Sequence, residues 1–496
     1  MIVSCQGCDI LSVELMTFGE FLSSLLKSKN VPVTRLTELT GIKSRNSIQR
    51  ILKDECSINL IEAFKSKLID LDPLNLSASE VEQLEQAIEV SKAGKDTVAA
   101  RRILLQFLYN GYQGSSEIPL VWNPADQIMI SLRELFATYK TFAKLRFLIF
   151  DAVSSEISNE LVKLIRVFPA DCISISQILY LGHSRSHDAE SLISIFKLAN
   201  CEHYDVYSIE TEPELDFHSP IFPNYIVIDK ETAQGDHYTD LIKIESDNSF
   251  SCIKDMPGNT MYLFYLYHFD RQSVPGHKLR KTYEKQSPLN TVVNICNLTA
   301  ILRKDTDRYL IAHGLHYSMI PYEIMINMMV ESDYFGMKED SAIIQRLKHF
   351  LYQRVHDYYN IDTMKVNFFT KRGLLDFVKN RVLAEHFVSL RPFTAEEVKA
   401  ILEFILQQLQ EKDYFKIYLL KNDYSIGNIQ FSYYENKALW MFDASSGYDD
   451  SYFEVFIDSI PLMGVYDDFV KNELVRNHTW PETESIDFLK YLISIA

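Results

Sequence analysis

The sequence predicts a multidomain protein in which a small all-α N-terminal domain is followed by a large α+β C-terminal domain. Three observations lead to this fold class. The chain has 496 residues, which is too long for a single hydrophobic core. It is 47% apolar and 24% charged, a balance typical of globular chains. Apolar residues recur at helical spacing up to about residue 110, whereas helix and strand patterns both occur beyond it.

The N-terminal domain is organised around residues 33–52, which contain two short amphipathic segments. Their apolar residues recur at helical spacing on either side of a glycine: Val33, Leu36 and Leu39, then Gly41, then Ile48, Ile51 and Leu52. The glycine stands where the first helix should end, and Ser44 can cap the second. Two helices joined through such a turn form a helix-turn-helix, so the sequence predicts an all-α N-terminal helix-turn-helix domain.

The outer face of the second helix carries basic, amide and hydroxyl side chains and no acid. The candidate DNA-binding residues are Lys43, Ser44, Arg45, Asn46, Gln49, Arg50 and Lys53. Amide and guanidinium groups recognise base edges, and we expect Arg45, Asn46 and Gln49 to have that role. Basic groups also neutralise phosphates, so we expect Lys43, Arg50 and Lys53 at phosphates or groove edges.

The distribution of charge fits a DNA-contacting head on an acidic body. The whole chain has a net charge of −17, which excludes a general nucleic-acid binder. Residues 27–67 contain nine lysines and arginines against four acids, a local charge of +5. Residues 68–496 carry −19, so they should repel DNA.

Two further helices are predicted to complete a domain over residues 16–72. Their apolar stripes are Phe18, Phe21, Leu22, Leu25 and Leu26 in the first, and Leu60, Ile61, Phe64 and Leu68 in the last.

Residues 17–70 resemble the lambda-repressor-like, xenobiotic-response-element (XRE) type of helix-turn-helix domain found in bacterial transcriptional regulators. The matching residues are Thr34, Leu36, Leu39, Gly41, Ile42, Ile48 and Leu60. The chain departs from the family by one inserted residue between Gly41 and Ile48. It also has Lys53-Asp54-Glu55 where the family usually has Glu-Arg-Gly. The resemblance implies sequence-specific binding of double-stranded DNA, usually by a homodimer.

The rest of the chain divides at changes in composition. Residues 1–15 are interpreted as a disordered or mis-started tail, and residues 73–110 as a helical hairpin stalk that serves dimerisation or covers the body. The glycine- and serine-rich residues 111–123 form a predicted linker. Two parts of the body follow, a mixed α/β region over residues 124–390 and a C-terminal α+β module with a small antiparallel sheet over residues 391–496.

Within the body, residue patterns predict both helices and strands, without a detectable internal repeat. Predicted helices cover residues 128–147, 157–167, much of 290–360, 394–411 and 452–460. Predicted strands cover residues 174–181, 225–229, 261–267, 414–420, 428–434 and 437–444. The apolar run 261–267 is far too short to cross a membrane.

No sequence motif in the body indicates catalysis. The chain has neither a glycine-rich phosphate loop nor a Gly-x-Ser-x-Gly motif. His183 and His187 have a spacing compatible with metal binding on a helix, but no third ligand can be named. His313, His316, His349 and His356 alternate with apolar residues and are interpreted as structural. We therefore expect neither an enzyme nor a bound cofactor or metal.

The sequence thus favours a cytoplasmic, homodimeric DNA-binding transcriptional regulator with a C-terminal sensor and oligomerisation body. Seven scattered cysteines suggest reduced thiols in the cytoplasm. A body of this size is expected to bind a small-molecule or peptide effector. Two alternatives remain: a helix-turn-helix fused to an unrecognised enzyme, and an adaptor protein that does not bind DNA.

Overall fold

The computed structural model has α+β architecture, with helices and two mixed β-sheets. It describes residues 15–40, 45–70, 74–110, 120–123, 128–210, 224–244, 250–274, 276–284, 306–331, 342–383, 391–421, 429–443 and 452–496. The chain divides into two compact units: Met1–Ile103 with Ser184–Ser186, and Leu104–His183 with His187–Ala496. Residues 1–14 of the predicted tail, residues 111–119 of the predicted linker and the Gly41 turn lie outside the described residues. The last four residues of the predicted linker, 120–123, form a strand, so the linker prediction is wrong there.

Among the described residues of the first unit, the regular secondary structure is helical. They are α1 (Phe18–Ser28), α2 (Val33–Thr40), α3 (Arg45–Leu52), α4 (Ile58–Asp70), α5 (Ala78–Ala93) and the start of α6 (Lys95–Asn110). Thr17 and Ser77 begin α1 and α5 with capping boxes, in which Glu20 and Glu80 bond back to the capping residue. The two predicted helices of residues 76–110 are confirmed as α5 and α6.

The second unit begins with a nine-stranded sheet. Its strands are β1 (Leu120–Asn123), β2 (Ile128–Ser131), β3 (Lys144–Phe150), β4 (Ile173–Leu181), β5 (His203–Glu210), β6 (Tyr225–Glu231), β7 (His237–Ile244), β8 (Phe250–Pro257) and β9 (His277–Lys278). Their order is β2-β1-β8-β7-β6-β3-β4-β5-β9. The associated helices are α7 (Leu132–Tyr139), α8 (Ser155–Ile165), α9 (Arg185–Leu198) and α10 (Thr260–Ser273).

A seven-stranded sheet occupies the remainder of the second unit. Its strands are β10 (Arg280–Glu284), β11 (Arg308–Ala312), β12 (Lys365–Phe369), β13 (Phe415–Leu419), β14 (Ile429–Tyr434), β15 (Ala438–Asp443) and β16 (Tyr452–Ile457), in the order β10-β16-β15-β14-β11-β12-β13. The helices are α11 (Tyr322–Glu331), α12 (Ala342–Asn360), α13 (Lys371–Asn380), α14 (Ala395–Glu411), α15 (Ile460–Asp468), α16 (Val475–Asn477) and α17 (Glu482–Ile495). A π-helical segment, Phe469–Leu474, joins α15 to α16.

The two sheets repeat one topology. In the first, β3, β4 and β5 are parallel, and β6, β7 and β8 follow as an antiparallel meander on the other side of β3. In the second, β11, β12 and β13 are parallel, and β14, β15 and β16 form the meander beside β11. Parallel neighbours require crossover helices, which explains the alternation of helix and strand in both halves.

Aromatic side chains join these halves inside the second unit. The ring of Phe196 from α9 lies 4.9 Å from that of Phe431 on β14, and Phe107 contacts both rings at 5.6 and 6.3 Å. A separate core lies between β11, β12, β13 and helices α12, α14 and α17. Phe107, Phe196 and Phe431 are buried, and the burial of large aromatic side chains stabilises a fold.

The structure corrects several secondary-structure predictions. Residues 261–267 were predicted as a strand but lie in helix α10, because Tyr262, Tyr265 and Phe269 pack one helical face against the first sheet. Residues 452–460 begin with strand β16, and residues 308–312 form β11, although both stretches were predicted as helical. Residues 128–147 contain β2, α7 and the start of β3 instead of one helix. The predicted boundary at residue 390 falls inside the seven-stranded sheet.

The predicted histidine pair does not share a helical face. His183 precedes α9, whereas His187 lies within it, with its Nε2 3.2 Å from Oδ1 of Asp151 after β3. Burial alone would lower the pKa of His187, but the hydrogen bond and charge of Asp151 outweigh it, so the pKa is raised. The ion pair therefore stabilises the fold most when His187 is protonated.

We expect Asp151→Asn to remove a pH-dependent part of the stability. A raised histidine pKa contributes stability that is fully present below the unfolded pKa of about 6.5 and is lost as pH rises through the folded pKa. The thermal midpoint of the wild type should exceed that of the variant at about pH 5.5, and the gap should narrow by about pH 8. Asparagine keeps an oxygen for the Tyr180 N–H, which donates to Asp151. A constant gap across this range would contradict the assignment.

Candidate nucleic-acid interface

The inner face of helix α3 packs into the hydrophobic core of the first unit. Ile48 and Ile51 are fully buried, in one core cluster with Phe18, Leu36 and Phe64. Leu52 is only partly buried at the edge of this cluster. The predicted inward positions Ile48 and Ile51 are therefore confirmed, and they fix which side of α3 faces outward.

The outward side of α3, with Lys53 just after its end, carries four of the predicted DNA-binding residues. Asn46, Gln49, Arg50 and Lys53 are all exposed. Arg45 begins the helix, and only its backbone is described. Lys43 and Ser44 lie outside the described residues. Asn46, Gln49, Arg50 and Lys53 follow one another at intervals of three, one and three residues, so they form a continuous polar surface one helix wide.

Arg50 differs from its neighbours because its side chain is held. Its Nε donates to the main-chain oxygen of Glu55, 3.0 Å away, just beyond the end of α3. The guanidinium is thus directed towards the C-terminal end of the helix, while its other nitrogens keep their donors. We expect base edges to be contacted near the N-terminus of α3. A guanidinium fixed at the C-terminal end is therefore better placed to bind a phosphate than a base edge.

The remaining lysines of this unit are mostly neutralised by glutamates. Ion pairs of 2.5–3.1 Å join Lys29 to Glu80, Lys65 to Glu85, Lys92 to Glu62 and Lys95 to Glu20. By contrast, no carboxylate among the described residues lies within ion-pair distance of Arg35, Arg50 or Lys53. Among the described residues, Arg35 on α2, Arg50 on α3 and Lys53 just after α3 are therefore unpaired, as are Lys27 on α1 and Lys67 on α4.

A close approach between α1 and the end of α3 sets the position of this surface. A Cβ atom on Gly19 would lie 2.6 Å from the main-chain oxygen of Ile51 and 2.8 Å from that of Leu52. Asp54, with a left-handed φ of 54°, follows α3 and accepts bonds from the Gly19 N–H at 3.0 Å and the Thr17 hydroxyl at 2.5 Å. The carboxylate thereby satisfies donors at the start of α1 and ties the end of α3 to them.

Sequence reasoning missed three of these features. The capping box at Thr17 and Glu20 was readable from the pattern Thr-x-x-Glu before an apolar stripe. Arg35 lies beside the inward Leu36 on α2, so its outward position followed from the helical spacing. The contact between Gly19 and α3 had no local signal, since it depends on how two helices cross.

The histidines do not assemble a metal site in the part of the chain described. No group of three or more histidine, cysteine or acidic side chains there could hold a metal ion. His316 is fully buried and its Nδ1 accepts from the Ser318 N–H, which is a structural role. None of the described helices is long and apolar enough to cross a membrane.

Comparison with known proteins gives only distant structural likenesses. No protein-family profile matches the sequence, and no curated protein matches it. The chain is similar to a polyphosphate kinase from Porphyromonas gingivalis, with a TM-score of 0.23 and 11% identity over 73% of this chain, which spans about half (53%) of that protein. It is similar to a phosphatidylserine synthase from Haemophilus influenzae, with a TM-score of 0.25 and 9% identity over 80% of this chain and 98% of that one. Likenesses of this degree identify neither a fold nor an activity.

We expect Gly19→Ala to loosen α3 from α1. The new methyl group would clash with main-chain oxygens, which cannot rotate away, and overpacking of this kind costs about 1–3 kcal/mol of unfolding free energy. Circular dichroism melting of the full chain measures the loss. Gly464→Ala is the matched control, because nothing lies within 4 Å of a Cβ there. The control should be neutral or slightly stabilising, as expected for alanine in a helix. Equal melting of both variants and wild type would contradict the close approach.

Proposed function

We propose that the chain is a sequence-specific DNA-binding transcriptional regulator, in which α2 and α3 form a helix-turn-helix. The observation that supports this most is the contrast in charge pairing within the first unit. Four lysines on its other helices, Lys29, Lys65, Lys92 and Lys95, pair with glutamates. Arg50 on α3 and Lys53 just after it face solvent beside two amide side chains. Unpaired cations next to amides are the combination that binds phosphates and base edges together.

The proposed docking places α3 in a major groove. Arg45, Asn46 and Gln49 would contact base edges near the start and middle of the helix, and Lys43, Arg50 and Lys53 would contact phosphates. Arg35 on α2 would reach the backbone of the same groove, because the first helix of such a motif crosses the phosphates. A width of about 12 Å for the groove accommodates one helix with its side chains.

The other parts of the proposal concern assembly and control. A homodimer would present two copies of α3 to two half-sites of a palindrome, and linking two heads raises avidity by roughly 10²–10⁴. The acidic second unit would act without catalysis, as the sensor of a small-molecule or peptide effector. Both expectations come from the sequence, and so does a cytoplasmic localisation, which the scattered cysteines favour.

We expect two alanine variants to separate base reading from phosphate binding. Gln49→Ala should lower affinity for a site selected from random duplexes by about 1–3 kcal/mol and relax the preference at one base pair. Lys53→Ala should weaken all sequences alike and reduce the slope of log affinity against log salt by about one. Titration of labelled duplexes at several salt concentrations measures both effects.

Lys65→Ala is the matched control for the charge change. It removes one positive charge from the same unit, but from an ammonium that is 3.1 Å from the Glu85 carboxylate. We expect its base preferences to match those of the wild type, with at most a small change in salt slope. If selection yields no preferred sequence, or if Asn46→Ala and Gln49→Ala leave the preferences intact, α3 does not read DNA and the adaptor alternative becomes the better explanation.

A further inference from the structure

Each sheet contains a buried basic residue, and the two differ in whether a carboxylate lies beside them. On the first sheet, the fully buried Lys230 of β6 has its Nζ 2.6 Å from Oδ1 of Asp240 and 2.5 Å from Oδ1 of Asp255. On the second sheet, Arg308 of β11 is only 7% exposed. No carboxylate among the described residues lies within ion-pair distance of its guanidinium. A charge buried without a counter-ion is costly, since water no longer solvates it.

The contacts of Arg308 leave part of its guanidinium unsatisfied. One terminal nitrogen donates to the Ser432 hydroxyl, 3.1 Å away. The guanidinium carbon lies 5.4 Å from the ring centroid of Tyr358 and 5.6 Å from that of Tyr434. The Nε–H is buried, and it has no hydrogen-bond partner in the described part of the chain. Stacking on two rings offsets some of the lost solvation, but it does not supply an acceptor to this donor.

A second unsatisfied donor belongs to the residue paired with Arg308 in the sheet. Tyr434 is the register partner of Arg308 across β11 and β14, so both side chains lie on one face of the sheet. Tyr434 is fully buried, and its hydroxyl also has no hydrogen-bond partner among the described residues. Other buried side-chain atoms of the described residues, such as the Tyr466 hydroxyl, also lack a partner, but Arg308 and Tyr434 are register partners on one face of the sheet and one of them carries a buried charge. A group from outside the chain would complete both donors.

The surroundings of this pair add positive charge. Lys365 of β12 is the register partner of Arg308 on the other side, and it is buried. Its Nζ donates to the carbonyl and hydroxyl oxygens of Thr363, at 2.8 and 3.0 Å. Burial and the charge of Arg308 lower the pKa of Lys365 to about 8. On β15, the residue level with Tyr434 is Ala438, which provides no negative charge.

We propose that Arg308 and Tyr434 form a binding site for an oxyanion, the phosphate or carboxylate group of a small molecule. The Arg308 Nε–H and the Tyr434 hydroxyl donate to oxygens of the same anion, whose charge compensates the buried guanidinium. Ser432 and Tyr358 position the guanidinium from its other sides. The inference concerns the second unit alone and holds whether or not the chain binds DNA.

The test uses the full-length chain without DNA. Thermal midpoints and calorimetric titrations are measured in inorganic phosphate and in succinate, with sodium chloride at the same ionic strength as reference. We expect the midpoint to rise in at least one of the two anions, and the arm that responds identifies the group as phosphate or carboxylate. Arg308→Met should weaken that binding by at least about tenfold, and Tyr434→Phe by about tenfold, as expected for hydrogen bonds to a charged group.

Two control variants match these substitutions. Tyr433→Phe changes the adjacent tyrosine, which faces the opposite side of β14, and Arg372→Met removes an arginine with 71% side-chain exposure. Both should bind the anion like the wild type. In chloride, Arg308→Met should melt no lower than the wild type, because it removes an uncompensated buried charge.

Three outcomes would overturn the proposal. One is a wild-type midpoint that is the same in phosphate, succinate and chloride. Another is an anion response that Arg308→Met retains in full, which would place binding elsewhere on the chain. The third is an Arg308→Met variant that folds but melts below the wild type in chloride, because Arg308 would then stabilise the fold through its stacking on the two tyrosines without an anion.

Discussion

The candidate interface depends on the close approach of α1 to the end of α3. Gly19 brings the main chain of α1 against the carbonyl oxygens of Ile51 and Leu52, at a distance that no side chain would permit. Asp54 then uses one carboxylate to bond the start of α1. Since Ile51 also packs inward, α3 is fixed at its C-terminal end by both main chain and side chain. Rotation of the helix would break the hydrogen bonds and the packing together.

Side-chain packing shows which side of α3 faces outward. Ile48 and Ile51 are both buried, and Asn46 and Gln49 are both exposed. Helical periodicity was therefore enough to predict the polar face of α3. It could not predict that Arg50 bonds to Glu55, because that contact depends on the loop after the helix.

The body was harder to predict because its strands are defined by partners far along the chain. Residues 174–181 and 225–229 were recognised as strands, since they form interior strands of the first sheet with apolar faces. Tyr452–Ile457 is rich in aromatic and β-branched residues, a local strand signal that the helix prediction overlooked, and it forms strand β16 by pairing with β15 and β10. The aromatic run in α10 has β-forming residues, yet only every third or fourth residue packs inward, so tertiary context overrides propensity.

The repeated topology shows that one arrangement of strands can hold different side chains in the two sheets. Three parallel strands and a meander recur with no detectable repeat in the sequence, because strand order depends on which faces are apolar and not on particular side chains.

An unpaired cation has a different significance on the exposed side of α3 than it has inside the second sheet. On the exposed α3, an unpaired arginine or lysine costs little, so its significance comes from the amides beside it. Inside the second sheet, the same lack of a partner is expensive, and a stable fold retains such a residue only when packing, stacking or a ligand compensates for it. Lys230 has the compensation of Asp240, 2.6 Å away, whereas among the described residues Arg308 has two tyrosine rings and one hydroxyl and no carboxylate. A buried, unsatisfied donor is for this reason a stronger indication of a missing partner than any single exposed charge on α3.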